Sequence, residues 1–395
     1  MTRQQRDFSG HDGGPLIIIA SIGVLMAALG CIYLLAAGIL VRRFAQHRAP
    51  GLPSPAPGIT VMKPLCGAEP WLFENLASFC RQDYPSRMTL VCGVADPNDP
   101  AIAVVAELQR AFPDASIELV VDPTSHGPNR KISNLVNMTA SIDQPVVIVS
   151  DSDVRVERDY LSRVAAALAE DGVSGVTCLY WGEADAEPWS QIAALGIDGH
   201  FLPGIVVGLA LGRAQPCFGS TIAFRRTALD ATGGFAAFAD RLADDYAIGQ
   251  ALRARGGRVA IPPFAVAHRF AYSHWRDLWM HELRWARTVR SIDPAGYAGS
   301  IVMHPFAWSL LALVAGGGTP ALVLAFGAIG CRFLLLWSVE RAFNLPRHPY
   351  WLIPMRDLFS AAIYLASYLG RDIVWRGVRY RIGRNGELSE RRTNQ

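Results

Sequence analysis

The stretch VVIVSDSDVRV (146–156) ends an apolar run with two aspartates, Asp151 and Asp153, one residue apart. The run before them reads as a buried strand. Two carboxylates this close raise each other's pKa unless something pairs with them. A hard divalent cation removes the repulsion, and Mg²⁺ and Mn²⁺ use one or two carboxylates plus substrate phosphates. The pattern suggests a metal–diphosphate site. The plain alternative is a solvated Asp-rich turn or a helix N-cap.

The elements that must position this pair alternate. ITVMKPL (59–65), MTLVCGV (88–94), SIELVV (116–121) and PVVIVS (145–150) read as strands. Helical patterns separate them at 71–80, 101–112 and in KISNLVNMTA (131–140). Strands alternating with crossover helices predict a parallel sheet covered on both faces. Ligands of such sheets bind beyond the carboxyl ends of the strands. Asp96 follows the second strand there, and Asp151 and Asp153 follow the fourth.

Of the 395 residues, 51% are hydrophobic and only 18% charged, below the quarter expected of a soluble enzyme. A formal net charge of +3 gives no nucleic-acid signal. Seven scattered cysteines without a C-x-x-C pair argue against a disulfide framework or zinc site. The apolar excess is concentrated. Residues 16–41 carry no charge and exceed the roughly 20 needed to span a bilayer, so they read as a retained anchor after a short tail (1–15). Arg42, Arg43, His47, Arg48 and Lys63 place the following side in the cytoplasm. A Pro-rich linker (49–58) leads to a globular unit over 59–298, in which 272–292 mixes Trp and Arg as an interfacial helix does. Residues 301–370 are apolar again, broken by GGGTP (316–320), and 371–395 form a basic tail. Three full spans would put that tail outside against the positive-inside rule, so 301–315 is expected to lie in the interface or re-enter. The expected location is the inner, cytoplasmic membrane, multi-pass, with the globular unit in the cytoplasm.

Six stretches occur in order: KPLCGAEPWLFENLASFCRQDYP (63–85), DPNDPAI (96–102), GPNRKISNL (127–135), DSDVRV (151–156), LADDY (242–246) and HELRW (281–285). Together they resemble the ceramide-glucosyltransferase-like family of membrane glycosyltransferases (families 21 and 2). The KPLCGAEP and HELRWARTVR stretches look most like its hopanoid-biosynthesis branch. The resemblance implies an α/β GT-A nucleotide-diphospho-sugar transferase fold with N- and C-terminal transmembrane helices. It implies an inverting transfer from a UDP-sugar, best UDP-N-acetylglucosamine, to a membrane lipid hydroxyl, best bacteriohopanetetrol. The ceramide branch would instead make glucosylceramide from UDP-glucose.

The family pattern is three aspartate positions followed by (Q/R)xxRW. Asp96, Asp151 and Asp245 match the three, and Arg284 and Trp285 match the last two of the motif. His281 stands where Gln or Arg is usual. The resemblance makes Asp96 a contact to uridine or ribose, and Asp151 and Asp153 the holders of nucleotide and divalent cation (Mg²⁺ or Mn²⁺). Asp245 becomes the general base, because an acceptor hydroxyl must lose its proton as it attacks. Asp244 competes; on a helix adjacent residues point about 100° apart, so one of the two should face the site. Lys131, or its neighbour Arg130, meets the diphosphate. Arg284 reaches the diphosphate and Trp285 stacks near the acceptor. His281, His200 and Gly219 (in CFGSTIAFRR) fall on the acceptor side, glycine permitting close approach. Each has a plain alternative: turn residues for Asp96 and Gly219, a surface basic pair for Lys131, a helix first turn for Asp245, and a packed histidine for His200. Competing readings of the whole chain are a processive polysaccharide synthase and a non-enzymatic membrane scaffold.

Overall fold

The computed structural model describes residues 14–48, 50–370, 372–375, 378–382 and 388–390. Most of the expected N-terminal tail (1–13), Ala49 of the linker and the rest of the basic tail lie outside the described residues.

The strands are β1 (Ile59–Pro64), β2 (Met88–Val94), β3 (Ser116–Val121), β4 (Val146–Val149), β5 (Val154–Arg155), β6 (Val173–Thr177), β7 (Leu179–Ala184), β8 (Ile222–Arg225), β9 (Arg258–Ala260) and β10 (Ala265–Phe270). The long N-terminal helix is α1 (Gly14–Ala45); α2 (Leu72–Cys80), α3 (Ala101–Ala111), α4 (Arg130–Asn137) and α5 (Tyr160–Leu168) follow. Next come α6 (Pro188–Gly196), α7 (Leu202–Ala210), α8 (Arg226–Ala231), α9 (Asp244–Arg253) and α10 (Trp275–Ile292). The C-terminal helices are α11 (Pro294–Gly299), α12 (Pro305–Val314), α13 (Gly318–Phe343) and α14 (Ile353–Ser367).

The main sheet has the order β3-β2-β1-β4-β8-β6-β9. The first four strands are parallel, as their crossover helices require. The sheet as a whole is mixed, because β8 runs antiparallel to both β4 and β6. This corrects the expectation of an all-parallel sheet: the chain after α5 returns through β6 before β8 enters beside β4. Strand order reverses between β1 and β4, and such switch points open a crevice at the carboxyl ends. Asp151 follows β4 at that crevice. Alternate residues of the central strands feed two cores: Val61 and Ile148 pack with Leu76 and Phe79 on one face, Met62 and Val147 with Ile132 and Phe224 on the other.

A smaller sheet, β5-β10-β7, covers the far side of the Asp151–Asp153 turn. The segment Asp372–Trp375, Val378–Ile382 and Leu388–Glu390 forms a third, antiparallel sheet.

Among the described residues, three helical segments are long and apolar enough to cross a membrane: Gly14–Ala45, Pro188–Ala210 and Gly318–Phe343. The second lies inside the stretch expected to be wholly globular. It is α6 and α7 joined by one π-helical turn, Ile197–Phe201. A bent pair, Pro294–Met303 and Pro305–Val314, meets at 64°. α1 packs closely on the C-terminal helices through glycines. A Cβ on Gly23 would meet the Ala312 Cβ at 2.9 Å, and one on Gly30 the Val302 carbonyl at 2.6 Å. The opposite face of α1 exposes Ile17, Ile18, Leu25 and Ile32, as α13 exposes Val323 and Phe326.

The bundle is fastened to the α/β unit by ion pairs. Arg356 of α14 holds Glu282 of α10 with both guanidinium arms, one at 2.9 Å, and reaches the Ile192 carbonyl of α6. It lies across Gly196, where any Cβ would overlap its guanidinium carbon at 2.3 Å.

Candidate active site

The turn after β4 is clamped through its main chain. Lys63, fully buried at the end of β1, donates to the Asp151 carbonyl at 2.7 Å and to Ser150 Oγ at 3.0 Å. Its ammonium sits 3.9 Å over the Phe79 ring. Burial pushes the Lys63 amine down to about 7, although Asp153 and Asp151 pull the other way. Asn75 donates to the Ser152 carbonyl at 3.1 Å, and the Arg269 N–H to the Asp153 carbonyl at 2.8 Å. Three elements thus fix the backbone that presents the two carboxylates.

The side chains have separate partners. Lys131 Nζ lies 2.6 Å from Asp151 Oδ1 and 3.5 Å from Asp244 Oδ2. Asn129 caps α4 by accepting the Ile132 N–H, which sets Lys131 in the first turn, and its amide donates to Asp244 Oδ1 at 3.2 Å. Burial opposes charge on Lys131, but Asp151, Asp244 and Asp245 outweigh it and raise its pKa. His268 Nε2 lies 3.1 Å from Asp153 Oδ2. Burial alone would raise Asp153, yet His268 and Lys63 hold it below the usual carboxylate range. The other oxygen, Asp153 Oδ1, is buried with no hydrogen-bond partner.

Gly219 joins this turn to α9. Its carbonyl accepts the Asp151 N–H at 3.1 Å, and its own N–H donates to Asp245 Oδ2 at 3.1 Å. A Cβ there would displace the Asp151 carboxylate or the Lys131 ammonium, since it would come within 2.4 Å of Asp151 Oδ2 and 2.9 Å of Lys131 Nζ. Burial first, then the neighbouring Asp244, pushes Asp245 up to about 7. The expectation that only one of Asp244 and Asp245 faces the site is corrected. Both lie in the first turn of α9, Asp244 drawn to Lys131 and Asn129, Asp245 to Gly219.

Aromatic rings wall the site. Tyr180 stacks on Phe201 at 4.5 Å and stands edge-on to Phe218 at 5.8 Å and Trp285 at 6.4 Å. His281, one turn before Trp285 on α10, stands perpendicular to it at 4.5 Å. Tyr272 holds His281 Nδ1, and burial lowers the imidazole to about 3, leaving it neutral. Arg284 lies on the same helix, between His281 and Trp285.

The chain matches the family model described as Glycosyl transferase family 21 over residues 22–388. It belongs to glycosyl transferase family 21. Relatives of this family 21 member include ceramide glucosyltransferase 1 of Caenorhabditis elegans, 24% identical, covering 97% of this chain and 84% of the relative. Ceramide glucosyltransferase 3 of the same organism is 28% identical, covering 94% and 82%. Among solved structures, the mannosyltransferase PcManGT from Pyrobaculum calidifontis, in complex with GDP-Man and Mn²⁺, aligns with a TM-score of 0.51 at 20% identity. It covers 89% of this chain and 99% of its own. The family 21 chain therefore has a GT-A-like α/β fold, is a glycosyltransferase, and carries helices suited to a membrane.

The structure brings Lys131, Asp151, Asp153, Gly219, Asp245, His281 and Trp285 into one region. Asp96 and His200 make their own hydrogen bonds elsewhere. Asp96 is exposed beyond the carboxyl end of β2 and accepts the Asn98 N–H at 2.8 Å. His200 sits on the π-helical turn, 3.1 Å from Asp357 of α14. Sequence reasoning missed Lys63 and His268 in this family 21 site. A lone lysine in ITVMKPL and a lone histidine in AVAHRF, each within an apolar strand, were the available signals.

Proposed function

We propose that this family 21 member transfers a sugar from a UDP-sugar to a hydroxyl of a membrane lipid, with inversion. The observation that supports it best is the bridge through Gly219, which sets Asp245 beside the clamped Asp151–Asp153 turn. Asp245 takes the proton of the lipid hydroxyl as that oxygen bonds to the anomeric carbon. The bond from that carbon to UDP breaks in the same displacement, and UDP leaves on the opposite face. A base held near neutrality suits that proton transfer. Lys131 and Arg284 stabilise the departing diphosphate, Trp285 and the neighbouring rings pack against the sugar and acceptor, and Asp96 meets the uridine side.

The residues fit a hard divalent cation, Mg²⁺ or Mn²⁺. Asp153 presents a buried carboxylate oxygen without a partner, and Asp151 stands beside it. Among the described residues no three such side chains form a complete cage, which suits an ion completed by diphosphate oxygens. When bound, the ion would neutralise the leaving diphosphate.

The relatives named above are ceramide glucosyltransferases, which favours ceramide and UDP-glucose. The second reading, bacteriohopanetetrol with UDP-N-acetylglucosamine, rests on KPLCGAEP and HELRWARTVR. In either case the catalytic unit faces the cytoplasm, on the side of Arg42 and Arg43. Purified full-length protein given UDP-glucose or UDP-N-acetylglucosamine, with ceramide or bacteriohopanetetrol, separates the two. Absence of transfer from any UDP-sugar to any lipid would overturn the proposal.

A further inference from the structure

A polar seam runs through the helical bundle toward the aromatic wall. Ring centroids follow one another from His200 to His304 (5.8 Å), His304 to Tyr364 (5.5 Å) and Tyr364 to Tyr297 (5.2 Å). Tyr297 and His304 lie on the bent pair, His304 at its break, and Tyr364 lies on α14. At the inner end, Phe201 next to His200 is the ring that stacks on Tyr180.

Two atoms at the inner end lack partners. Asp357 Oδ1 serves Arg332 at 2.9 Å and His200 at 3.1 Å, but its Oδ2 is buried and unpartnered. His304 Nδ1 is likewise buried and unpartnered. Ionisable groups between membrane helices are costly and mark pathways or binding sites. The charge of Arg332 is already spent. Its guanidinium donates to Asp357, to the Gly199 carbonyl and to the Met303 carbonyl at 2.7 Å. The neighbouring Arg356 is likewise held, both its terminal nitrogens on Glu282, so a phosphate or carboxylate arriving here meets the Asp357 carboxylate. Asp357 Oδ2 can only accept, so it calls for an O–H or N–H donor.

We propose that this seam, between the bent helix pair and α14, is where the acceptor lipid enters, and that His304 and Asp357 bind its neutral, hydroxylated or amide-bearing head. Ser360, 3.4 Å from His200, extends the same polar lining. The head lies there while the reacting hydroxyl reaches past Phe201 and Tyr180 toward Asp245. The assignment rests on the lipid-acceptor reading above.

The test uses the full chain in detergent with a UDP-sugar and three acceptors: ceramide, bacteriohopanetetrol and the monohydric alcohol octadecanol. His304→Phe keeps ring volume and removes the nitrogen; Asp357→Asn, which leaves Arg332 facing a neutral group, is the harsher second variant. A lost hydrogen bond at a polar site should raise the KM of the better hydroxylated acceptor by about 10-fold. The KM of the UDP-sugar stays put, and the preference over octadecanol shrinks by the same factor. An unchanged acceptor KM in His304→Phe, or equal rises in both KM values, overturns the proposal while transfer by the parent stands. If the parent transfers to no lipid, the lipid-acceptor reading fails first and this one with it.

Discussion

The N–H of Gly219 donates to Asp245 Oδ2 at 3.1 Å, while the carbonyl of the same residue accepts the Asp151 N–H. One residue therefore sets the spacing between the carboxylate assigned as base and the turn assigned to the donor. Gly219→Ala would push a methyl into Asp151 and Lys131. Overpacking of this kind costs about 1–3 kcal/mol. Transfer should fall roughly 10- to 100-fold while the far-UV spectrum is kept, since that energy is spent at the site. An alanine variant with parental turnover would dissolve the bridge argument.

Asp245 should give the pH profile its acid limb. A base that must be ionised loses rate as pH falls, about tenfold per unit below about 7. Asp245→Asn should lower transfer by roughly 10²–10⁴ and leave UDP titration nearly unchanged. Stability carries the opposite sign. The fold raises this carboxyl above its ordinary 3.8, so the native state holds the proton longer than the unfolded chain. Stability from this group is present below about 4 and is lost as pH rises toward about 7. The asparagine variant should therefore melt higher than the parent at pH 8; a lower melting temperature there would contradict the assignment.

Lys63→Met keeps the length of the buried stem and removes its donors. The Asp151 carbonyl then loses its buried partner, at a cost of about 1–3 kcal/mol. Removing a desolvated amine offsets part of that in global stability, so the melting temperature moves little. The donor KM carries the defect and rises by roughly tenfold. Equal donor KM values in parent and variant would mean that Asn75 and Arg269 alone hold the turn.

Chelator should abolish transfer, and Mg²⁺ or Mn²⁺ should restore it. Asp153→Asn weakens the unpartnered oxygen's hold on a cation, so the concentration needed for half-restoration rises by about 10-fold or more. Titration of Mn²⁺ by electron paramagnetic resonance, with UDP present, reads this without turnover. Equal Mn²⁺ binding by parent and variant would remove Asp153 from the ligand set.

Much of the donor half was legible in the sequence. Apolar runs ending in DSD and separated by helical patterns led to the parallel strands and to the crevice beyond them. The antiparallel β8 was not, because IAFR reads the same in either direction and its neighbours are set by distant pairing. Lys63 and His268 escaped because periodicity marks strands without saying which polar side chain they turn inward. Helical geometry left one place for Asp244 and Asp245, and the family pattern gave it to Asp245. Asp244 was recovered only when the fold brought Asn129 and Lys131, more than a hundred residues earlier, against the first turn of α9. The apolar stretch 188–210 was hidden by the globular sequence around it.

The grip of Arg356 on Glu282 has a practical meaning for anyone wishing to handle the catalytic half in water. Glu282 follows His281 directly and precedes Arg284 and Trp285, so the guanidinium from α14 braces the very helix that carries the residues assigned to the donor and acceptor. A fragment ending at residue 298 would keep Asp151, Asp153, Asp244 and Asp245 yet surrender that grip. It would also leave bare the groove over Gly196 that Arg356 fills. α14 thus braces α10 from outside the α/β unit, and a cut at residue 298 removes that brace.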